Sequence, residues 1–158
     1  MMKCSIRAAV VSDAPEIFRM IRELAEFEHR ASQFKLSEAT LSGWLASGEI
    51  GCLLAEGEGK ILGFALYYFT FATFRGEKGI YLEDLYVRPE YRKQGIGKEF
   101  FRELAVIARR EGYFRIDWMV LDWNRDGIRF YRSLGAARVD DWFHYRLTGP
   151  ALERMGAE

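Results

Sequence analysis

Val87-Arg88-Pro89-Glu90-Tyr91-Arg92-Lys93-Gln94-Gly95-Ile96-Gly97-Lys98 joins an apolar run, Ile80 to Val87, to an amphipathic one that continues to about Glu111. The first run reads as a strand. The second carries Phe100, Phe101, Leu104, Val106, Ile107 and Ala108 and reads as a helix that Gly112 stops. Gly95 and Gly97 let the chain turn tightly and leave no Cβ over the amides. The first-turn N–H groups of the helix then face the loop, where the helix dipole favours an anion. Arg92, Lys93 and Lys98 add positive charge. By physical argument this is a phosphate cradle. For the loop taken alone, a helix N-terminus with no ligand stays open as the alternative.

Two familiar phosphate loops do not fit. A dinucleotide fingerprint needs a third glycine where this chain has Phe100, and Gly95 lies six residues beyond Pro89, too far for that motif's tight turn. A P-loop needs glycine at position 92, which is Arg, and a hydroxyl after Lys98, where Glu99 stands.

Outward from the loop, the rest of the chain reads as alternating strands and helices. Ser5 to Ala9 is a short strand. A helix capped by Ser12 or Asp13, with Pro15 in its first turn, buries Ile17, Met20, Ile21, Leu24 and Ala25 and runs to about Glu28. Ser37 opens a shorter helix that Gly48 ends. Ile50 to Glu56 and Lys60 to Phe71 are strands joined by a Gly57-Glu58-Gly59 hairpin, and Ile80 to Val87 completes an antiparallel meander. After the helix that follows the glycine loop, Arg115 to Leu121 reads as a strand, Arg125 to Leu134 as a helix capped by Gly135, and Arg138 to Leu147 as a last, aromatic strand. The order predicts one α/β domain over residues 1–158. Its mixed, mostly antiparallel sheet has a central right-handed βαβ unit, with helices packed on it.

Composition narrows the partners. Lys plus Arg and Asp plus Glu both number 23, so the chain lacks the basic excess that nucleic-acid binding uses. Cys4 and Cys52 cannot build a disulfide framework, and His29 and His144 with them form no zinc spacing, so no metal is expected. The longest apolar stretch, Ile61 to Ala72, is too short to span a bilayer, and Met1 to Arg7 lacks a signal-peptide core; a cytoplasmic protein without membrane partners is the expectation.

Arg-x-x-Gly-x-Gly at Arg92 to Gly97 resembles the pyrophosphate loop of the GNAT superfamily of acyl-CoA-dependent N-acetyltransferases. Phe64 to Thr70, Tyr81-Leu82-Glu83-Asp84-Leu85-Tyr86-Val87, and Leu121-Asp122-Trp123-Asn124 with Phe130-Tyr131 resemble its diamine (spermidine/spermine) branch. Ile80 to Val87 and Leu121 to Asn124 are most similar to the thialysine (S-aminoethyl-cysteine) acetyltransferases. The resemblance covers nearly the whole chain and implies acetyl-CoA as co-substrate, a GNAT-like sheet with helices on both faces, and a homodimer. It also implies that the strands ending at Val87 and starting near Arg115 splay. The pantetheine arm would then meet the backbone at Leu85 and Val87, and the diphosphate would fall on Gln94, Gly95, Ile96, Gly97 and Lys98. Tyr86, Arg92, Lys93, Asn124 and Tyr131 join the implied cofactor set.

A primary alkylammonium, with a pKa of about 10.4, is masked at neutral pH and needs its proton removed; a departing thiolate, near 8.5, benefits from a donor. The resemblance places Tyr131 beside the sulfur as general acid and Glu83 near the amine, where it takes a proton through water. Read alone, Tyr131 is an aromatic on a buried helix face. Strand alternation puts Glu83 and Asp84 on opposite faces, so one of them points into the core or a cleft.

On the substrate side the resemblance implies Phe27, Glu28, Glu83, Asp84, Asp122, Trp123 and Trp142 around a small cation. Asp140 and Asp141 either extend an acidic groove or form a plain turn, and Glu28 is either a ligand or a solvated helix charge. Phe71-Ala72-Thr73 stands where polyamine acetyltransferases carry an acidic residue, and the segment before Trp142 is shorter; both fit a short, lysine-like amine. Direct attack in a ternary complex is expected, because Cys4 and Cys52 have no neighbouring His to support a covalent acetyl-enzyme. The alternatives are a protein lysine or N-terminal acetyltransferase, or a non-catalytic acyl-CoA-binding domain.

Overall fold

A two-residue turn, Glu58-Gly59, closes the hairpin between β2 (Gly51–Gly57) and β3 (Lys60–Ala72). Both turn residues have positive φ, 52° and 72°, which is the type I′ geometry that matches strand twist. The computed structural model describes residues 4–157. These fall into two compact units, the first ending at Met119 and the second starting at Val120.

The first unit is built on a five-stranded sheet in the order β1-β2-β3-β4-β5, with β1 at Ser5–Ala8, β4 at Glu77–Val87 and β5 at Ile116–Asp117. β1 to β4 pair antiparallel and β4 pairs parallel with β5, as the predicted mixed sheet requires. Helices cover both faces. On one face α1 (Ala14–Phe27) buries Ala14, Ile17, Met20 and Leu24, and α2 (Glu38–Ser47) buries Leu41, against Cys52, Leu54, Phe64, Leu66 and Tyr86. On the other face α3 (Ile96–Glu111) buries Ile96, Phe100, Leu104 and Ala108 against Leu53, Ala55, Leu62, Ala65, Ile80 and Leu82. Each large side chain so buried contributes roughly 1.5–3 kcal/mol, and together they hold the helices on the sheet.

The caps fall where the chain predicts them. Ser37 accepts from the Thr40 N–H at 3.0 Å, and Gly48 and Gly112 close α2 and α3 in left-handed conformations. α1 ends differently. Arg30 N–H donates to Ala25 C=O at 2.8 Å and His29 N–H to Glu26 C=O at 3.1 Å, with His29 at φ 57° in the position glycine usually fills.

Two expectations are corrected. β5 spans only Ile116–Asp117 rather than Arg115 to Leu121. Arg138 to Leu147 forms no strand; the second unit holds α4 (Arg125–Ser133) and an unforeseen α5 (Pro150–Met155). A strand exists through its ladder partner, and alternation along Trp142, Phe143, Tyr145 and Leu147, all exposed, cannot supply one.

Glu58 pays a left-handed penalty that asparagine largely avoids. Glu58→Asn, making Asn-Gly, is expected to stabilise the fold by roughly 0.5–1 kcal/mol, read as a Tm rise of about 1–4 °C. An unchanged or lower Tm contradicts the turn assignment.

Candidate active site

β4 opens away from β5. The two pair only at Ile80↔Ile116 and Tyr81↔Asp117, so β4 from Leu82 to Val87 has no β5 partner. A bulge lies at the start of that open stretch. Leu66 pairs with Asp84 and Tyr67 with Leu82, which leaves Glu83 as the extra residue of β4. Before the bulge, Ile80 N–H donates to Arg115 C=O at 3.0 Å, so even-numbered residues face β5. Beyond it, Arg88 N–H donates to Leu62 C=O at 2.9 Å, toward β3. Alternation then turns the backbone groups of Leu85 and Val87 to the open edge, the orientation expected for a strand that meets an amide-bearing arm.

The glycine loop follows directly. A short 3₁₀ turn, Pro89–Tyr91, leads to Lys93 at φ 61° and Gly95 at φ 86°, and α3 begins at Ile96. Lys98 N–H and Glu99 N–H both donate to Gly95 C=O, at 3.0 and 3.1 Å, and no side chain caps the helix. The amides of Ile96 and Gly97 therefore have no acceptor within α3. A Cβ built on Gly95 would meet nothing within 4 Å, so the space beside that residue is open. Free amides, a helix N-terminus and the neighbouring Lys93 and Lys98 fit a diphosphate group.

The carboxylates converge through the bulge. The expectation that Glu83 and Asp84 lie on opposite faces is wrong. Leu82 and Leu85 both pack on the α3 side, so the two residues between them reach the α1 side together. Tyr68 Oη donates to Glu83 Oε2 at 3.2 Å, and the Tyr68 and Tyr81 rings stack at 5.2 Å. Tyr68 is pushed up to about 12 by burial first and then by the Glu83 charge, which keeps it a donor. Asp84 is the partly buried acid; burial, then the charges of Glu83 and Glu28, push its carboxyl up to about 7. Burial also raises Glu28. Glu28, Glu83 and Asp84 thus form an acidic cluster at the end of α1, with Glu83 exposed. Among the described residues no set of side chains is arranged to hold a metal ion.

Tyr68 was missed in the sequence. Its role depends on the β3–β4 register, which no local pattern reveals. Tyr86 and Arg92, expected in the cofactor set, serve the protein itself. Tyr86 is 5% exposed in the α1-side core, where burial and then Glu23 push its hydroxyl up to about 12, and its backbone faces β3. Arg92 donates Nε to Val87 C=O at 2.8 Å, and its guanidinium lies 4.8 Å from the Phe27 ring centre and 5.6 Å from that of Tyr86. Arg88, not singled out in the sequence, bonds Glu16 at 2.8 Å, Glu23 at 3.1 Å and Ile61 C=O at 3.0 Å, tying α1 to the end of β4.

In the second unit, Asn124 caps α4, its Oδ1 accepting the Gly127 N–H at 3.0 Å. Tyr131 lies partly buried on α4 with its ring 5.3 Å from Phe130. Asp122, Trp123 and Trp142 are exposed, as are Asp140 and Asp141.

The open strand edge followed by a glycine cradle has close parallels. Residues 16–136 match the model of the Acetyltransferase (GNAT) family. The thialysine N-epsilon-acetyltransferase of Mus musculus is 39% identical over 163 residues, 95% of each chain. A spermidine/spermine N(1)-acetyltransferase-like protein 1 of Homo sapiens is 36% identical over 97% of this chain, which spans 24% of that longer protein. Among solved structures, an integron cassette protein from the mobile metagenome of V. cholerae superposes with a TM-score of 0.83 over 100% of both chains, at 25% identity. This chain belongs to the GNAT acetyltransferase family.

The raised Asp84 carboxyl sets a pH dependence of stability. Its proton leaves the unfolded chain near pH 4 and the native one near pH 7, so native stability is lost as pH rises between those values and the deficit is constant above. Asp84→Asn removes the deficit. The variant is expected to gain on the parent from pH 4 to 7, by roughly 4 kcal/mol at pH 7.5 in urea unfolding. A stability difference independent of pH contradicts the assignment.

Proposed function

We propose that this chain moves an acetyl group from acetyl-CoA to the terminal amine of a small, lysine-like cation such as thialysine, with both substrates bound at once. The observation that carries the acceptor assignment is the trio Glu28, Glu83 and Asp84 beside the open edge of β4. An acidic cluster with a partly buried member favours an ammonium group, and the 39% identity to a thialysine acetyltransferase over 95% of the chain supports the same class. GNAT acetyltransferases use acetyl-CoA, whose thioester supplies an acyl group already activated toward amines.

In this reading the Leu85 backbone groups and the Val87 N–H bond the amides of the pantetheine arm, while Arg92 holds the Val87 C=O. Gly95, Ile96 and Gly97 amides, with Gln94, Lys93 and Lys98, hold the diphosphate. The Asn124 side-chain amide, whose NH2 is not used by its cap, contacts the cofactor. Glu83 takes the ammonium proton through a water, oriented by Tyr68. The amine nitrogen then bonds the acetyl carbon as the carbon–sulfur bond breaks; Tyr131 gives its proton to the thiolate, and the proton that the acylated nitrogen sheds restores the tyrosine. Asp84 and Glu28 stabilise the cation, and Phe27, Asp122, Trp123 and Trp142 remain the further acceptor contacts that the family resemblance implies. Phe71-Ala72-Thr73, without an acid, favours a short amine over a polyamine.

Steady-state assays with acetyl-CoA against thialysine, lysine, spermidine and a lysine-containing peptide separate the readings. We expect thialysine to be turned over with a kcat/KM at least tenfold above that of spermidine or the peptide. Acetylation of the peptide alone supports a protein acetyltransferase, and CoA binding without transfer supports a binding domain.

Gly95→Glu is expected to abolish CoA binding by calorimetry, because a carboxylate enters the cradle. Gly95→Asn, which tolerates the left-handed backbone, controls for strain and retains binding within about tenfold. Equal CoA affinity in a folded Gly95→Glu protein contradicts the diphosphate assignment. Tyr131→Phe is expected to lower kcat by roughly 10²–10⁴-fold at similar CoA affinity. Full turnover with chemistry rate-limiting rules the hydroxyl out as the acid.

A further inference from the structure

We infer that Arg92 is a positioning residue that couples the diphosphate loop to the acceptor side, so that a filled loop tightens binding of the amine. The inference rests on the proposed acetyl transfer and concerns how its two substrates communicate.

Arg92 lies one residue before Lys93, whose left-handed backbone starts the cradle, and three before Gly95. A loop arginine in such a position would be expected to reach into the cradle. Its guanidinium instead covers the Phe27 ring at 4.8 Å and the Tyr86 ring at 5.6 Å, while Nε holds Val87 C=O at 2.8 Å. One side chain thus touches three parts of the first unit. These are the last turn of α1, the core under β4, and the final backbone carbonyl of the open edge.

The consequences follow from geometry. Phe27 is the last residue of α1 and Glu28 its C-cap. A cation near the end of α1 is favoured by the helix dipole, and a planar guanidinium over an aromatic face adds cation–π attraction. Both interactions require Arg92 to keep one rotamer, and that rotamer is set by the backbone of the loop. Arg88 anchors α1 at Glu16, in its first turn, and at Glu23, but makes no bond to its last residue. Arg92 thus adds a side-chain hold on Phe27, next to the Glu28 carboxyl, to the backbone bonds that close α1. When amides 95–97 close on a diphosphate, the loop holds Arg92 more firmly, and the ring and carboxylate at the end of α1 are held with it. Lysine cannot substitute, since its compact ammonium has no planar face to cover the rings while a separate nitrogen donates to the Val87 C=O.

The test compares amine affinity with CoA affinity in one set of variants. With the parent protein, calorimetry is expected to show thialysine binding at least fivefold tighter in the presence of saturating CoA, which cannot react, than in its absence. In Arg92→Leu and Arg92→Lys, CoA affinity is expected to stay within about threefold. The CoA-dependent gain for thialysine disappears, and the KM for thialysine rises about tenfold with kcat changed less. Phe27→Leu is expected to give the same loss, and Phe27→Leu/Arg92→Leu no more than either alone, because both act through one contact. Near-ultraviolet circular dichroism and Tm confirm that each variant is folded; if Arg92→Leu does not fold, Phe27→Leu and Arg92→Lys carry the test. A large loss of CoA affinity in folded Arg92→Lys, with the CoA-dependent gain for thialysine retained, overturns the inference and makes Arg92 a phosphate ligand. Additive effects of Phe27→Leu and Arg92→Leu overturn it as well. A parent protein that acetylates no amine contradicts the proposed function instead.

Discussion

The extra residue at Glu83 governs how β4 serves two surfaces at once. Upstream of it, Ile80 and Leu82 pack against α3; downstream, Leu85 and Val87 do. The apolar anchors on both sides hold the insertion in place, since a one-residue slip would move them off the α3 face. With the anchors fixed, the two intervening residues are driven to the opposite side of the sheet, and Glu83 and Asp84 arrive together beside Glu28. The same insertion exchanges which backbone groups face the open edge, from residues 78, 80 and 82 to residues 85 and 87. One local irregularity therefore produces both a cluster of carboxylates and a strand edge without a β5 partner, adjacent to a glycine loop.

Electrostatics in that cluster favour a cation for a specific reason. Three carboxylates share a small region, and the most buried of them, Asp84, is held near neutrality by desolvation and by its two neighbours. An arriving ammonium group relieves that repulsion, whereas an anion or a neutral group would not. Tyr68 keeps its proton and so fixes the orientation of the exposed Glu83. The fold alone does not select this chemistry, because the same sheet hosts acetyltransferases of different substrates. The selection lies in the side chains at the end of α1 and at the bulge.

Much of this was legible in the chain. The amphipathic spacing of α1 and α3, the Ser37 and Gly112 caps, the Glu58-Gly59 turn and the glycine loop are local signals, and each appears within a residue or two of its expected place. The bulge was not legible. Glu83-Asp84 in an apolar run reads as plain alternation, and only the pairing of Leu66 and Tyr67 across β3 shows that one residue is extra. Arg138 to Leu147 failed for the converse reason. Its pattern is strand-like, but a pattern does not supply a partner. The partners of Arg88 and Arg92, 60 or more residues away for Glu16, Glu23 and Phe27, are invisible to any reading by spacing. Arg92 therefore read as one more loop cation, when its guanidinium faces the end of α1.

The central claim is that the free backbone of β4 and the first amides of α3 form one continuous cofactor surface. Amide-resolved hydrogen exchange with and without saturating CoA tests it directly. The account predicts slower exchange at Leu85, Val87, Gly95, Ile96 and Gly97, with the Tyr86 and Arg88 amides, already directed to β3, little changed. Identical exchange at those five amides, in protein shown to bind CoA, would place the cofactor elsewhere and contradict the account.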